Sequence, residues 1–493
     1  MRFQMIEAAR AVGGSFAVAP ADVHACITSL TWDSRVVSEG ALYVALPGER
    51  VDGHDFAAAA VAAGAVCVLA QHALSESAVA ACREARAGVI EVADTAAAVT
   101  QLARAWRTCL AGRVIGITGS TGKTTTKNLV RDVLAAAGSV VATRGNQNNE
   151  LGVPNTVLAA DAGTANVVVE MGMRGLHQLD ALCAFVRPQW GLVTNVGESH
   201  IELLGSRENI AAAKAELLAS LPEGGMAFVN AANDMTPLVR QLAQLDEHGV
   251  TCVLYDGSAE AAARRENLSA ADAAFPAVWA TDIALDAQGC PRFTLNAANF
   301  AGMPAPVSVP CALELRGMHN VSNACSAAAV GLAAGMTADQ VAAALGAAQP
   351  ESGRQEVLHT PAGVTVINDA YNANPDSMRA SLSTFAALEV SGRRIAVLGD
   401  MGELGDFGPA LHEEVGAFAA GCKLDSLVCA GQLAQRIAAG AQAAGMPAGA
   451  IVTVADWQEA LSSIAPELAP GDAVLVKASH FMGLTRVVEG LVK

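Results

Sequence analysis

The sequence predicts an α/β protein of three domains: a small N-terminal α/β unit, a central phosphate-loop ATPase-like domain and a C-terminal Rossmann-like domain. Three observations carry that expectation. Apolar runs that read as buried strands alternate with alanine-rich helical stretches, the pattern of parallel sheets covered by helices. A phosphate-loop-like segment, Gly116-Ile-Thr-Gly-Ser-Thr-Gly-Lys-Thr124, lies between one such strand and a helical stretch. The chain of 493 residues also exceeds what one hydrophobic core normally supports.

In chain order, the strands are read at Ala65-Val-Cys-Val-Leu-Ala70, Arg113 to Thr118, Asn166 to Val169, Gly191 to Thr194, Arg394 to Leu398 and Ala473 to Val476. The first 85 or so residues precede the phosphate loop, so the N-terminal domain is placed at 1–87. The central domain is placed at 88–312. Its last part, from about Asp256 to Pro310, lacks helical period and reads as a β-rich excursion. The third domain is placed at 313–493, with a helix expected from Ala324 to Ala334.

Composition excludes several classes of function. Hydrophobic residues make up 52% and charged residues 16%, which gives ample core material. A net charge of −17 argues against a general grip on nucleic acid, because binding a phosphate backbone needs a basic surface. The eleven cysteines are scattered without a C-x-x-C pair, so neither a disulfide framework nor a zinc site is indicated. The N-terminus shows no secretory pattern, and the most apolar run, Phe56 to Ala70, is too short for a membrane span. A cytoplasmic protein without membrane insertion is the expectation.

The loop departs from the usual G-x-x-x-x-G-K-[ST] pattern, because Ile117 stands where its first glycine belongs. The physical requirement is looser than the pattern. Backbone N–H groups must converge at a helix N-terminus, a lysine must reach the outer phosphates, and a hydroxyl must stand beside a bound magnesium ion. Gly119, Ser120, Thr121, Gly122, Lys123, Thr124 and Thr125 can supply these, with Lys123 for the phosphates and Thr124 for Mg²⁺.

Other candidates sit at strand ends, where ligands of open α/β sheets gather. Glu170 ends the run Asn166-Val-Val-Val-Glu170, the placement of a magnesium-binding carboxylate. His200 follows Thr194-Asn-Val-Gly-Glu-Ser. Lys214, inside the helical stretch Glu208 to Leu218, reads on its own as a solvated surface lysine. Asn320 and Asn323 offer two carboxamides in one helical turn, able to read a base edge or to cap the helix. Arg354 has the guanidinium geometry for phosphate oxygens, and Asp369, Tyr371 and Asn372 lie in a polar turn after a strand. Near the N-terminus, Asp33-Ser34-Arg35 and Leu46-Pro-Gly48 could hold a second anionic ligand or form an ordinary turn.

Taken in order, these pieces resemble the Mur ligase family. The resemblance runs through Asp33-Ser-Arg35, Leu46-Pro-Gly48, the shortened loop 119–124, Gly145-Asn-Gln-Asn-Asn149, Glu170-Met-Gly, His200, Lys214, His319-Asn-Val-Ser-Asn323, Gly353-Arg354 and Asn368-Asp-Ala-Tyr-Asn372. Within the family, Tyr371-Asn-Ala-Asn-Pro-Asp-Ser377 and Gly399-Asp-Met-Gly-Glu-Leu-Gly405 look like the branch that adds D-alanyl-D-alanine. One departure is Lys477-Ala-Ser-His480, where these ligases often carry Lys-Gly-Ser-Arg.

The resemblance implies an ATP-dependent ligase that joins D-alanyl-D-alanine to UDP-N-acetylmuramoyl-tripeptide through an acyl phosphate, acting as a monomer. It implies ATP contacts from the loop and from Asn320, Asn323, Arg354 and Asp369, with Ser34, Arg35 and Asn149 on the UDP substrate. Tyr371 and Asn372 would face the dipeptide. Two Mg²⁺ sites are implied, one on Thr124 and Glu170, the other on His200 and a carbamylated Lys214, with Lys123, Lys214 and His200 catalytic. The rivals are a folylpolyglutamate synthase-like amide ligase and a nucleotide-switched binding protein. The N-terminal Asp33-Ser-Arg35 unit disfavours the first, and the lack of an Asn-Lys-x-Asp motif weakens a GTP-dependent form of the second.

Overall fold

The computed structural model describes residues 1–493, which form two compact units. The first comprises Met1–Gly116, Gly138–Gly172 and Leu179–Trp190, and the second Ile117–Ala137, Met173–Gln178 and Gly191–Lys493.

In the first unit, a five-stranded sheet runs in the spatial order Ser15–Val18, Gly88–Glu91, Ala65–Ala70, Ala41–Val44, Ser29–Thr31. Four strands are parallel, and Ser15–Val18 lies antiparallel at one edge. The expected boundary after residue 87 is therefore too early, since Gly88–Glu91 pairs with both Ala65–Ala70 and Ser15–Val18. At that boundary Ala85-Arg-Ala-Gly88 forms a tight turn, with Arg86 at a φ of +58°. The next helix, Thr95–Arg107, buries Val99, Leu102 and Trp106 at helical spacing. The Trp106 indole N–H donates to the Ala160 carbonyl at 2.8 Å, so a large buried ring leaves no polar atom unsatisfied. Val140–Ala142 and Asn166–Glu170 form a parallel pair in the same unit.

In the second unit, the strands Met226–Asn230, Thr251–Asp256 and Ala277–Leu285 are parallel, and Pro291–Ala298 and Val307–Ala312 extend them antiparallel. The expected β-rich excursion is thus an antiparallel extension, preceded by two short helices, Ala261–Glu266 and Ala270–Ala273. The helix expected from Ala324 begins at His319 and runs to Ala333. Its polar opening reads as a cap, yet the asparagines bond along the helix and lie inside it. This helix is buried on nearly every side because its residues are mostly Ala, Ser and Gly. It packs on Lys123–Ala135 and on the central strands, and Ala338–Ala347 packs beside it. Residues 313–347 therefore belong with the central domain, and the third domain's sheet starts at Glu356 instead of near 313.

That sheet has six strands in the order Glu356–His359, Thr365–Asn368, Ala473–Lys477, Arg394–Gly399, Ser426–Ala430, Ile451–Val454. All are parallel except the first, which forms a hairpin with the second. The last strand of the chain is inserted between Thr365–Asn368 and Arg394–Gly399, which creates a switch point where the strand ends of a doubly wound sheet offer a crevice.

Tyr255 joins the central strands to the site end of the sheet. Fully buried, it directs its hydroxyl at the Val193 and Thr194 carbonyls, at 2.8 and 3.0 Å, and burial pushes its pKa well above the ordinary tyrosine value. Tyr255→Phe removes the donor these two buried carbonyls share. It is expected to cost about 1–3 kcal/mol, read as a lower denaturant midpoint; an unchanged midpoint would show that the hydroxyl does not hold the strand end.

Candidate active site

The strand Arg113–Thr118 leads into the loop, and the helix Lys123–Ala135 follows it. Gly119 has a φ of +151°, and a Cβ there would lie 1.7 Å from Thr194 Oγ1. Gly122 has a φ of +75°, and its Cβ would meet Asn323 Oδ1 at 2.6 Å. Both glycines are thus required by shape, which is how a shortened loop makes its turn without the usual first glycine. The helix opens at Gly122 with no side-chain cap, leaving the positive end of its dipole and its first-turn amides for an anion.

The loop is held by residues that sequence reasoning missed. Asn195 Oδ1 accepts the Ser120 and Thr121 amides at 3.1 and 2.9 Å, and its Nδ2 donates to Thr121 Oγ1 at 2.5 Å. Thr194 Oγ1 donates to the Thr121 carbonyl at 2.6 Å, and the Gly197 amide donates to Ser120 Oγ at 2.9 Å. Ser120 and Thr121 therefore spend their amides on the protein, which narrows the phosphate cradle to the first turn of the helix. Lys123 curls back so that Nζ donates to the Gly119 and Ser120 carbonyls at 2.7 and 3.3 Å. Thr124 is buried beside it on the same turn, and Thr125 follows.

Lys214 corrects the surface reading. It lies in the middle of the helix Arg207–Ala219 at 1% exposure. Burial, then repulsion from Lys123, pushes its pKa well below the ordinary lysine value, so the amine favours its neutral form. Lys123 thus lies within electrostatic reach of Lys214. His200 precedes the short helix Ile201–Leu204 with a φ of +65° and pairs through Nδ1 with the Glu403 carboxylate.

Asn323 Oδ1 accepts from Thr126 Oγ1 at 3.2 Å, its Nδ2 donates to Asn320 Oδ1 at 2.8 Å, and Asn320 Nδ2 donates to the Arg316 carbonyl at 2.7 Å. The two carboxamides thus tie the helix His319–Ala333 to the phosphate-loop helix. Asp369 receives the Lys477 ammonium at 2.8 Å and the Gln355 amide and side chain at 3.3 and 3.2 Å. Lys477, to which the sequence assigns no role, is buried, and it also donates to the Asn372 carbonyl at 2.9 Å. Arg354 stacks 4.5 Å from the Tyr371 ring, and His480 stands 5.9 Å from that ring on its own account.

In the first unit, Glu170 is buried at the end of its strand, with Oε1 accepting from Asn148 Nδ2 at 2.8 Å. Asn149 Oδ1 accepts the Gly152 amide at 3.0 Å, at the start of the helix Gly152–Ala159. Arg35 is clamped by Asp33 at 2.8 and 2.7 Å beside Ser34, with most of its side chain exposed.

Asp52, His54 and His72 cluster nearby in sequence. Asp52 accepts from His54 Nδ1 at 2.6 Å and His72 Nε2 at 2.9 Å, while the Gln71 amide donates to His54 Nε2 at 3.0 Å. That amide fixes the proton on His54 Nδ1, so neither ring nitrogen of His54 keeps a lone pair for a metal.

A helix N-terminus opening on a glycine turn, with one lysine folded on the loop and a second buried beside it, is the equipment of an α/β protein that moves phosphoryl groups. Comparisons with known proteins sharpen this. The model of the Mur ligase middle domain matches residues 117–331, that of the Mur ligase glutamate ligase domain residues 353–480, and that of the Mur ligase family catalytic domain residues 26–107. The UDP-N-acetylmuramoyl-tripeptide–D-alanyl-D-alanine ligase of Mycobacterium bovis is 40% identical over 98% of this chain and 96% of its own. Its Bacillus subtilis counterpart is 33% identical over 95% and 93%. Among solved structures, MurF from Acinetobacter baumannii superposes with a TM-score of 0.81 at 28% identity, covering 100% of this chain and 99% of that one. MurF from Thermotoga maritima in complex with ADP gives 0.73 at 25%, covering 94% and 97%. The chain belongs to the Mur ligase family.

Two outcomes test this geometry. Lys477→Met strands the Asp369 carboxylate without its cation and is expected to cost about 3–5 kcal/mol, read by chemical unfolding; a change below about 1 kcal/mol, the ceiling for most exposed pairs, would contradict a buried ion pair. The Ala73 carbonyl, and after it Asp52, holds the His72 pKa above the ordinary histidine value, while Asp52, bonded first by the His54 amide, is held down at about 2. The pair therefore stabilises the loop below the ordinary histidine range and weakens as pH climbs through the raised value. An NMR titration should place His72 above an exposed histidine, and Asp52→Asn should lower it part of the way.

Proposed function

We propose that this protein ligates D-alanyl-D-alanine to UDP-N-acetylmuramoyl-tripeptide at the expense of ATP, giving the UDP-muramoyl pentapeptide, ADP and phosphate for peptidoglycan synthesis. The terminal carboxylate of the tripeptide attacks the γ-phosphorus of ATP, and ADP leaves with the electron pair of the broken P–O bond. The dipeptide amine then attacks the acyl carbon, loses a proton, and expels phosphate from the tetrahedral intermediate. Both steps bring anions together, so the protein contributes alignment and positive charge more than covalent help.

The observation that carries this reading is the buried Lys214 beside Lys123. Burial and the nearby Lys123 charge favour a neutral Lys214 amine, so the positive charge that meets a polyanion is left to Lys123 and the first-turn amides. Lys123 and the first-turn amides stabilise the transferring phosphoryl group. Asn320, Asn323 and Asp369 hold the adenosine, Arg354 meets the phosphates, Ser34, Arg35 and Asn149 serve the UDP end, and Tyr371 with Asn372 faces the dipeptide.

The donor chemistry fits magnesium. Thr124 and Glu170 are each buried, and each carries a hard oxygen donor of the kind Mg²⁺ prefers. The neutral amine favoured at Lys214 is the form that adds carbon dioxide, and the resulting carbamate would join His200 around a second ion. When bound, Mg²⁺ neutralises phosphate charge. A cytoplasmic monomer is part of the same proposal.

Phosphate release should require ATP, the UDP-linked tripeptide and the dipeptide together, and it should yield the pentapeptide by mass. Lys123→Ala should lower kcat at least about 100-fold, the scale of losing one oriented transition-state donor. Release that ignores the dipeptide would overturn the assignment.

A further inference from the structure

The turn Gly399-Asp-Met-Gly-Glu-Leu-Gly405 marks the branch in sequence but has no part in the assignments above. It leaves the strand Arg394–Gly399 of the six-stranded sheet and presents Glu403 at a φ of +60°. The Glu403 carboxylate uses both oxygens, with Oε1 3.1 Å from Arg174 Nε and Oε2 on His200 Nδ1. The Glu202 amide donates to the Glu403 carbonyl at 3.4 Å. A Cβ at Gly405 would lie 2.8 Å from Glu202 Cγ, so the turn sits flat against the helix Ile201–Leu204. Backbone, carboxylate and shape thus join one turn of the third domain to the two loops that carry Arg174 and His200.

We propose, building on the ligase reading, that Glu403 is a positioning residue for His200. A carboxylate facing Nδ1 takes the proton of that nitrogen in a hydrogen bond, which fixes the tautomer and leaves Nε2 with its lone pair for the reaction centre. Arg174 holds the second oxygen, so the carboxylate cannot swing away from the ring. Since Glu403 arrives on the third domain, the ring is oriented only while this turn is docked. His200 is thereby made to report the placement of the domain that carries Arg354 and Tyr371.

The test uses the full-length protein with Mg²⁺ and ADP, and compares wild type with Glu403→Ala, Glu403→Gln and Arg174→Ala. Imidazole nitrogen NMR, assigned through His200→Gln, should show the Nδ1–H tautomer in wild type and a mixture in Glu403→Ala. In turnover assays the half-saturating Mg²⁺ concentration should rise about 10–100-fold in Glu403→Ala, with KM for ATP unchanged. Glu403→Gln, which keeps an acceptor oxygen, should fall between the two, and Arg174→Ala should shift the same readings less.

An unchanged His200 spectrum in Glu403→Ala, or lost turnover with unchanged Mg²⁺ dependence, would overturn the proposal. Should Glu403→Ala not fold, the same two readings on Glu403→Gln decide it. If wild type shows no dipeptide-dependent turnover, the ligase reading fails by itself, and the tautomer measurement still judges the clamp.

Discussion

The site depends on one carboxamide. Asn195 takes the amide protons of Ser120 and Thr121 and returns a proton to Thr121 Oγ1, fixing the path of a loop too short to fix itself. With the loop set, Gly122 can open the helix at a left-handed φ, and Lys123 can fold back on the Gly119 and Ser120 carbonyls. The amides of the helix's first turn are thereby held in a fixed direction. Ser199, whose hydroxyl donates to the Ser120 carbonyl at 3.3 Å, extends the network to Asn374, the N-cap of the helix Pro375–Ala387. The phosphate-loop segment and the helix that follows the turn 369–374 therefore share one hydrogen-bond chain.

Charge is handled differently at two depths. Near the loop, Lys123 and Lys214 repel, and the buried amine answers by favouring its neutral form. At the switch point of the six-stranded sheet the charges are matched, because the ammonium of Lys477 meets Asp369 and the Asn372 carbonyl. The first arrangement leaves a buried amine without a counter-charge, and the second ties the turn 369–374 to the strand Ala473–Lys477. One chain thus buries one lysine as a neutral amine and another as the cation of an ion pair.

Much of the fold could be read from local pattern. The strands Ala65–Ala70 and Arg113–Thr118 fall where the apolar runs place them, since a strand buried on both faces leaves a continuous apolar signature. Boundaries were harder. Ala85 to Gly88 forms a turn inside one sheet, and the helix His319–Ala333 belongs to the central strands because of which surface it covers, facts no local window contains. Site residues divide the same way. Lys123, Thr124 and His200 stand in recognisable stretches, but Asn195 acts across 74 residues and Lys477 across 108. Lys214 is the sharpest case, because a lysine in a helical stretch carries no mark of burial until the helix is packed.

The central claim is that the carboxylate of the tripeptide is activated as an acyl phosphate. Ligation with the tripeptide's terminal carboxylate labelled with heavy oxygen tests it directly, by mass analysis of the phosphate released. Attack of that carboxylate on ATP predicts that each phosphate carries one labelled oxygen, because the bridging atom leaves with phosphorus when the amine attacks. Phosphate free of label, formed alongside pentapeptide, would contradict the account.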